Sequence, residues 1–388
     1  MTGEIRAGRF RRARGAARGL IRTRRRAAVT GAVVLALAAG LGTWAFQGPL
    51  GIKDRYCWGG WEEDSGPGIL GDDGFTGEDG RSRTSKGAAP TEGKPAGTCT
   101  LAVRSSHTFS DGETDVQDTT VTVTYGRAPK GAEDRLEWLA GYLGDGAMPL
   151  PDGLPGAVDA DRGLIVLPKR CDTRDGRPVA VTLDARERTE PDEALPRTVD
   201  LGGSRTVAEL LVAAANQGME KAGCAPAEPL RVTSPLLTLP EKRETFYSDP
   251  ACRIKGLDLD LGDEAESDTD YQVGPVTRDM QSCSVRIGRD DARFLDALMV
   301  AQPRVDALIA DVTGERPPAR GWRGKGVLGE GHQVVRAQCA GRPATFLMLG
   351  SPQREATGHF AAFSNAVAQR LGCPAVAPTT SSEAGGTH

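Results

Sequence analysis

"GRPATFLML" (Gly341–Leu349) stands two residues after Cys339, and "GRPVAVTL" (Gly176–Leu183) stands five residues after Cys171. In both, proline after arginine fixes a turn, and the apolar run that follows suits a strand. An apolar stretch also precedes each phrase, "GLIVLPKRC" ending at Cys171 and "HQVVRAQC" ending at Cys339. Each site therefore reads as an antiparallel hairpin with a cysteine near its turn.

The agreement continues outward. Downstream of each hairpin a helical segment ends in Gly-Cys, "LLVAAANQGMEKAGC" at Cys224 and "FAAFSNAVAQRLGC" at Cys373. Counting back from those cysteines aligns Gly223 with Gly372 and Asn216 with Asn365. Phe360, Phe363, Val367 and Leu371 recur at spacings of three and four, one buried helical face. Leu211, Ala214, Gly218 and Ala222 hold the same register with smaller side chains.

Upstream, Cys57 and Cys252 lie in loop-like sequence, while Cys99 and Cys283 begin the strand-like runs "CTLAVRS" and "CSVRIG". A helix is expected between the second and third cysteines of each set. In the first set it is "AEDRLEWLAGYLG"; in the second it is "DARFLDALMVAQPRVDALIADV", interrupted at Pro303. The chain thus reads as a divergent internal repeat.

Each unit is expected to run loop, strand, helix, strand, turn, strand, helix, with helices over one face of a small sheet. The fold class is α+β, two tandem disulfide-bonded domains behind an N-terminal transmembrane helix. Unit 1 covers residues 47–224, with a mobile acidic insertion at 62–97. A proline-rich connector spans 225–251, unit 2 covers 252–373, and 374–388 is expected to be a disordered tail.

The eight cysteines all follow residue 46, and an even number beyond a membrane span reads as a disulfide framework. Eight cysteines permit many connectivities. Equivalent pairing within each unit favours Cys57–Cys99, Cys171–Cys224, Cys252–Cys283 and Cys339–Cys373. No C-x-x-C pair exists, so zinc is not expected.

The first 26 residues hold ten Arg and one Glu, a net of +9, which leaves −13 for the remainder of a chain whose total is −4. Residues 27–46, "AAVTGAVVLALAAGLGTWAF", carry no charge and are long enough to cross a hydrocarbon core. Arginines before the span place residues 1–26 in the cytoplasm and everything after Phe46 outside, in a single-pass cell-membrane protein. Cleavage near Ala36–Ala38 with secretion is the alternative.

No G-x-S-x-G elbow or H-E-x-x-H helix is present. The histidines are His107, His332, His359 and His388, and His359 reads as a surface residue at a helix start. "GKGVLG" (Gly324–Gly329) fits G-x-G-x-x-G without the strand before and helix after that phosphate binding needs. The acidic stretches Gly71–Gly80 and Asp258–Asp270 lack EF-hand spacing and read as solvated loops. Neither catalytic residues nor a cofactor are expected. The acidic ectodomain argues against nucleic acid as a partner.

"DPAC" followed about thirty residues on by "SCSV" resembles the two-cysteine pattern of small actinobacterial envelope domains of unknown function. The resemblance implies an extracytoplasmic binding or envelope role and carries over no functional residue. The expected function is a non-enzymatic, membrane-anchored module binding a protein, glycan or small ligand. A secreted or tethered hydrolase is the alternative.

Overall fold

The second hairpin turns on two residues. Ala340 and Gly341 both have positive φ (50° and 84°), the geometry of a two-residue turn between the paired residues Cys339 and Arg342. The aligned Gly176, in the longer turn of the first hairpin, has φ 78°. The glycine of each GRP phrase is there for its left-handed backbone.

The computed structural model describes residues 53–188, 199–237, 244–245, 250–255, 257, 269–288, 292–350 and 356–379. Residues 27–46, expected to span the membrane, and 1–26 lie outside them. Among the described residues no helix is long and apolar enough to cross a membrane.

The first half opens with a ribbon of β1 (Arg55–Tyr56) and β2 (Trp61–Glu62). It continues through β3 (Asp79–Ala88), β4 (Gly97–Thr108), β5 (Thr114–Arg127), α1 (Ala132–Leu143), β6 (Met148–Pro149), β7 (Gly156–Val158), β8 (Arg162–Val166), β9 (Val179–Arg188) and α2 (Ser204–Lys221). The second half comprises β10 (Glu244–Thr245), β11 (Thr269–Val273), β12 (Met280–Ile287), β13 (Ala292–Val300), α3 (Pro303–Asp306), β14 (Lys325–Leu328), β15 (His332–Cys339), β16 (Arg342–Gly350) and α4 (Ala356–Arg370). The fold is α+β.

Each half builds one antiparallel sheet, in the orders β3-β4-β5-β9-β8-β7-β6 and β10-β11-β12-β13-β16-β15-β14. Setting β3 against β11, β4 against β12, β5 against β13, β9 against β16, β8 against β15 and β7 against β14 matches the two orders over six strands, with β6 and β10 as unmatched edges. The repeat read from the cysteines is therefore a repeat of topology.

Alternation along the strands sorts side chains into three cores. Val179, Val181 and Leu183 of β9 meet Val207, Leu211 and Ala214 of α2 in the first. Ala344, Phe346 and Met348 of β16 meet Phe360, Phe363 and Val367 of α4 in the second. The opposite faces, with Leu164 and Val166 from β8 and Leu347 and Leu349 from β16, meet in the third. Leu136, Leu139 and Leu143 of α1 fill that third core with Val305, Leu308 and Ile309 at and after α3. Helices thus lie on both faces of the sheets, not on one.

The bridges are Cys57–Cys99, Cys171–Cys224, Cys252–Cys283 and Cys339–Cys373. They follow the sequential pattern, and none joins the halves. Cys57 and Cys252 enter equivalent left-handed turns, with φ of 44° and 57° followed by 64° at Trp58 and 54° at Arg253.

Three segments differ from expectation. Residues 292–300 form strand β13, not a helix. Its run is apolar on both faces, with Ala297 and Met299 in one core and Leu298 and Val300 in another, so periodicity carries no signal. The helix starts only at Pro303, where the Gln302 side chain accepts from the backbone N–H of Arg304 and Val305.

Residues 62–97, expected as a mobile insertion, contribute two short 3-10 turns and strand β3, with Leu70 buried in the first core. An edge strand paired on one side needs little apolar character, so its composition conceals it. The expected tail begins with ordered residues. Val376 and Ala377 are buried, and their backbone N–H groups donate to the side-chain Oδ1 of Asn365 at 2.9 Å each. Asn216, the aligned residue, exchanges two 2.9 Å bonds with the backbone of Leu230, so each terminal helix pins the strand of chain that follows its cysteine.

Candidate functional site

The seam between the two sheets gathers the charges that the apolar strands otherwise exclude. Arg286 on β12 donates to Asp145 at 2.6 Å and lies 2.9 Å from Asp296 on β13. Asp296 is 1% exposed and also meets Arg293 at 2.9 Å, while Arg293 pairs with Glu137 of α1. Acids from the first half, Asp145 and Glu137, thus alternate with arginines from the second. Asp145 has φ 46°, and its backbone N–H donates to Ser284 Oγ at 2.7 Å.

Two more arginines reach across the seam. Arg135 of α1 donates to the Leu308 carbonyl at 3.1 Å and to Asp311, and it also reaches the Pro129 and Lys130 carbonyls. Arg304 of α3 reaches the other way, donating to the Leu167 carbonyl and, through both Nη atoms, to Asp172. Buried guanidiniums are tolerable only when saturated in this manner, and removing one partner strands the other.

This charged end is a lock. Burial pushes the Asp296 carboxyl upward, and the neighbouring Arg286 pulls it back. Burial, and next the charge of Asp184, holds the Tyr142 hydroxyl well above its usual range; it donates to Asp184 at 2.5 Å. Each of these guanidiniums is committed to protein acceptors, and Asp296 is out of solvent.

The opposite end of the seam does hold a space. A cleft of about 220 Å³ lies between the Pro149–Gly156 loop of the first half and Thr277–Met280, Val300 and Val305 of the second. Leu150, Leu154, Met280, Val300 and Val305 form an apolar floor. Pro235 and Leu237 of the connector form a lip, with Leu237 one of the few large apolar side chains left exposed. The lip is held by Asp152, whose carboxylate accepts from the backbone N–H of Thr233 (2.7 Å) and Ser234 (3.0 Å) and from the Ser234 hydroxyl. Those bonds, the hydroxyl foremost, depress the Asp152 carboxyl far below the usual range.

Polar groups at the cleft are already engaged. Gln302 caps α3, Thr277 Oγ1 donates to the Met280 carbonyl at 2.7 Å, and Asp279 pairs with Arg342 at 2.6 Å. Among the described residues the cleft therefore offers shape and apolar surface, with its polar side chains already bonded within the protein.

The expected site residues were cysteines alone, and the structure uses all eight as bridges. His107 lies on β4 against Phe109, His332 starts β15, and His359, expected at the surface, is buried at the start of α4. Gly71–Gly80 holds a 3-10 turn and the start of β3, and 325–328 of the "GKGVLG" stretch form β14. His388 and most of Asp258–Asp270 lie outside the described residues. Among the described residues no three His, Cys, Asp or Glu are grouped to hold a metal ion.

The seam was not expected from sequence, though a signal existed. Single charges inside apolar strands, Asp296 in "RFLDALMV" and Arg286 in "CSVRIG", mark buried ionic contacts because an unpaired charge is too costly there. No protein-family model, no curated protein and no solved structure matches this chain.

Proposed function

We propose that the chain is a non-enzymatic binding module on the outer side of a cell membrane, anchored through residues 27–46 with residues 1–26 in the cytoplasm. It belongs in type with the actinobacterial envelope proteins its cysteine pattern resembles. Four disulfides support an oxidising, extracytoplasmic setting.

The observation that carries the binding reading is the seam cleft: apolar, walled by both halves, and closed on one side by a connector that Asp152 holds down. Ligand sites favour such junctions. At about 220 Å³ the cleft suits a small apolar ligand, the size of one or two apolar side chains. Engaged polar groups and buried acids favour binding over the hydrolase alternative.

Methyl-resolved NMR of the full chain titrated with small apolar probes such as indole and isobutanol is the test. Saturable shifts are expected at Leu150, Leu154, Val300 and Val305. Leu154→Arg, which fills the cleft with a charged side chain, should abolish them and the accompanying rise in Tm. Shifts spread over other cores, or none at these four residues, would remove the cleft as a binding site.

A further inference from the structure

A second cavity, of about 570 Å³, opens on the second half and has cations in its lining. Arg323, Lys325 and Arg336 line it with Gln338, Pro343 and Pro374, and among the described residues no carboxylate lines it. The stretch Gly314–Gly326, "GERPPARGWRGKG", places Arg316, Arg320, Arg323 and Lys325 against Glu315 alone. This +3 sits in a chain that carries −13 beyond residue 26.

The repeat shows that the shared frame takes uncharged residues at two of these positions. Arg336 pairs with Thr345 as Val166 pairs with Ala180, and Gly326 pairs with Val335 as Gly156 pairs with Ile165. Both glycines are obligatory, because an added Cβ would lie 2.3 Å from the Val334 carbonyl oxygen or 2.0 Å from that of Leu164. On the same frame the first half puts Pro155 and Val166 where the second puts Lys325 and Arg336.

The arrangement is also unfavourable when empty. Lys325 and Arg336 are direct cross-strand partners, and like charges so placed repel. Lys325 meets Glu315 at 2.5 Å, but that pair is 55% and 86% exposed and contributes little in water. Arg336 spends one Nη on Asp306, while its buried Nε has no hydrogen-bond partner. Among the described residues Arg323 has no ion-pair partner. An anion seated between the three would offset the Lys325–Arg336 repulsion and give Arg323 a partner.

We propose that this groove binds a phosphate-bearing anion carrying more than one negative charge, its oxygens held by Arg323, Lys325 and Arg336. Phosphate fits better than a single carboxylate: the Arg323 guanidinium fork, the remaining Nη of Arg336 and the Lys325 ammonium present donors to several oxygens at once. The same chemistry could come from a free oligophosphate or from phosphodiester headgroups. The site is independent of the seam cleft, so the failure of one reading leaves the other standing.

Calorimetric titration of the full chain at low ionic strength, with inorganic pyrophosphate and separately with bis(glycerophospho)glycerol, a soluble headgroup with two phosphodiester charges, tests it. Saturable one-to-one binding is expected, weakening steeply with added salt. Arg323→Glu with Lys325→Glu should weaken it at least tenfold, and the paired glutamine variants by less. Arg127→Glu with Arg170→Glu, at a separate arginine-containing cavity of about 490 Å³ in the first half, should leave it unchanged. Tighter pyrophosphate binding assigns a free oligophosphate, and tighter diester binding assigns headgroups. Absence of saturation with both probes, binding that survives charge reversal at 323 and 325, or an equal loss in the 127/170 control would overturn the proposal.

Discussion

The two halves share a frame and invert its filling. In the first half the terminal helix is slim: Ala214 and Gly218 of α2 face the sheet, and bulk comes from Tyr125 and Trp61. In the second half the helix is bulky, with Phe360, Phe363 and Val367. At one position the sheet there is slimmer in turn. Cys99 pairs with Val123 and Cys283 with Ala297, so two residues on Tyr125 corresponds to Met299. A Cβ added at Gly218 would lie 2.6 Å from Tyr125 Cδ2. At this contact the bulk moves between helix and sheet, an exchange that a close-packed interior tolerates better than a net gain in volume.

The harshest test of that equivalence removes a bridge from each half. Cys171→Ala with Cys224→Ala opens a separation of 53 residues, and Cys339→Ala with Cys373→Ala one of 34. The logarithmic dependence on loop length makes both losses about 4 kcal/mol, within a few tenths of each other. Urea denaturation of each variant should show matched falls. A difference above about 2 kcal/mol would mean that the bridges do unlike work in the two halves.

A smaller effect sharpens the packing comparison. Gly218→Val imports the residue found at the aligned position 367 and should destabilise by about 2–3 kcal/mol through overpacking. Adding Tyr125→Met, the second half's other choice, should recover most of it. If the double variant is no better than Gly218→Val alone, the halves do not exchange volume in this way.

The smallest expected effect concerns the connector lip. Because the Asp152 carboxyl is depressed in the fold, its contribution is complete above the ordinary carboxylate range and is lost only as pH falls through its lower folded value. Hydrogen exchange at Thr233 and Ser234 should therefore stay slow at pH 4 and quicken only in stronger acid. Asp152→Asn should quicken it at neutral pH while leaving α2 amides unchanged. Fast exchange at pH 4 in the unaltered chain would show that hydrogen bonding does not hold the lip.

The legible parts of this molecule were those with local causes. The GRP turns are set by residues within a few positions, and the helices α1, α2 and α4 by spacing along one face or by a Gly-Cys end. Cysteine order exposed the repeat because bridges leave a mark that survives divergence. Strand β13 was illegible because burial on both faces erases the two-residue period, and β3 because an exposed edge has no apolar face to show. The candidate sites depend on residues brought from afar. Asp145 and Arg286 are 141 residues apart, Asp152 and Ser234 are 82 apart, and no spacing rule reaches so far.

The order of the bridges has a consequence for how the chain is made. Each cysteine is joined to the next one along the sequence: first to second, third to fourth, fifth to sixth, seventh to eighth. For a chain entering an oxidising compartment from its N-terminal side, the correct partner of every newly unpaired thiol is the next to arrive. No loop encloses or crosses another, so no early bond must be broken to admit a later one. Oxidation in order of emergence gives the native pattern directly, without the slow thiol–disulfide exchange that nested or crossed pairings demand.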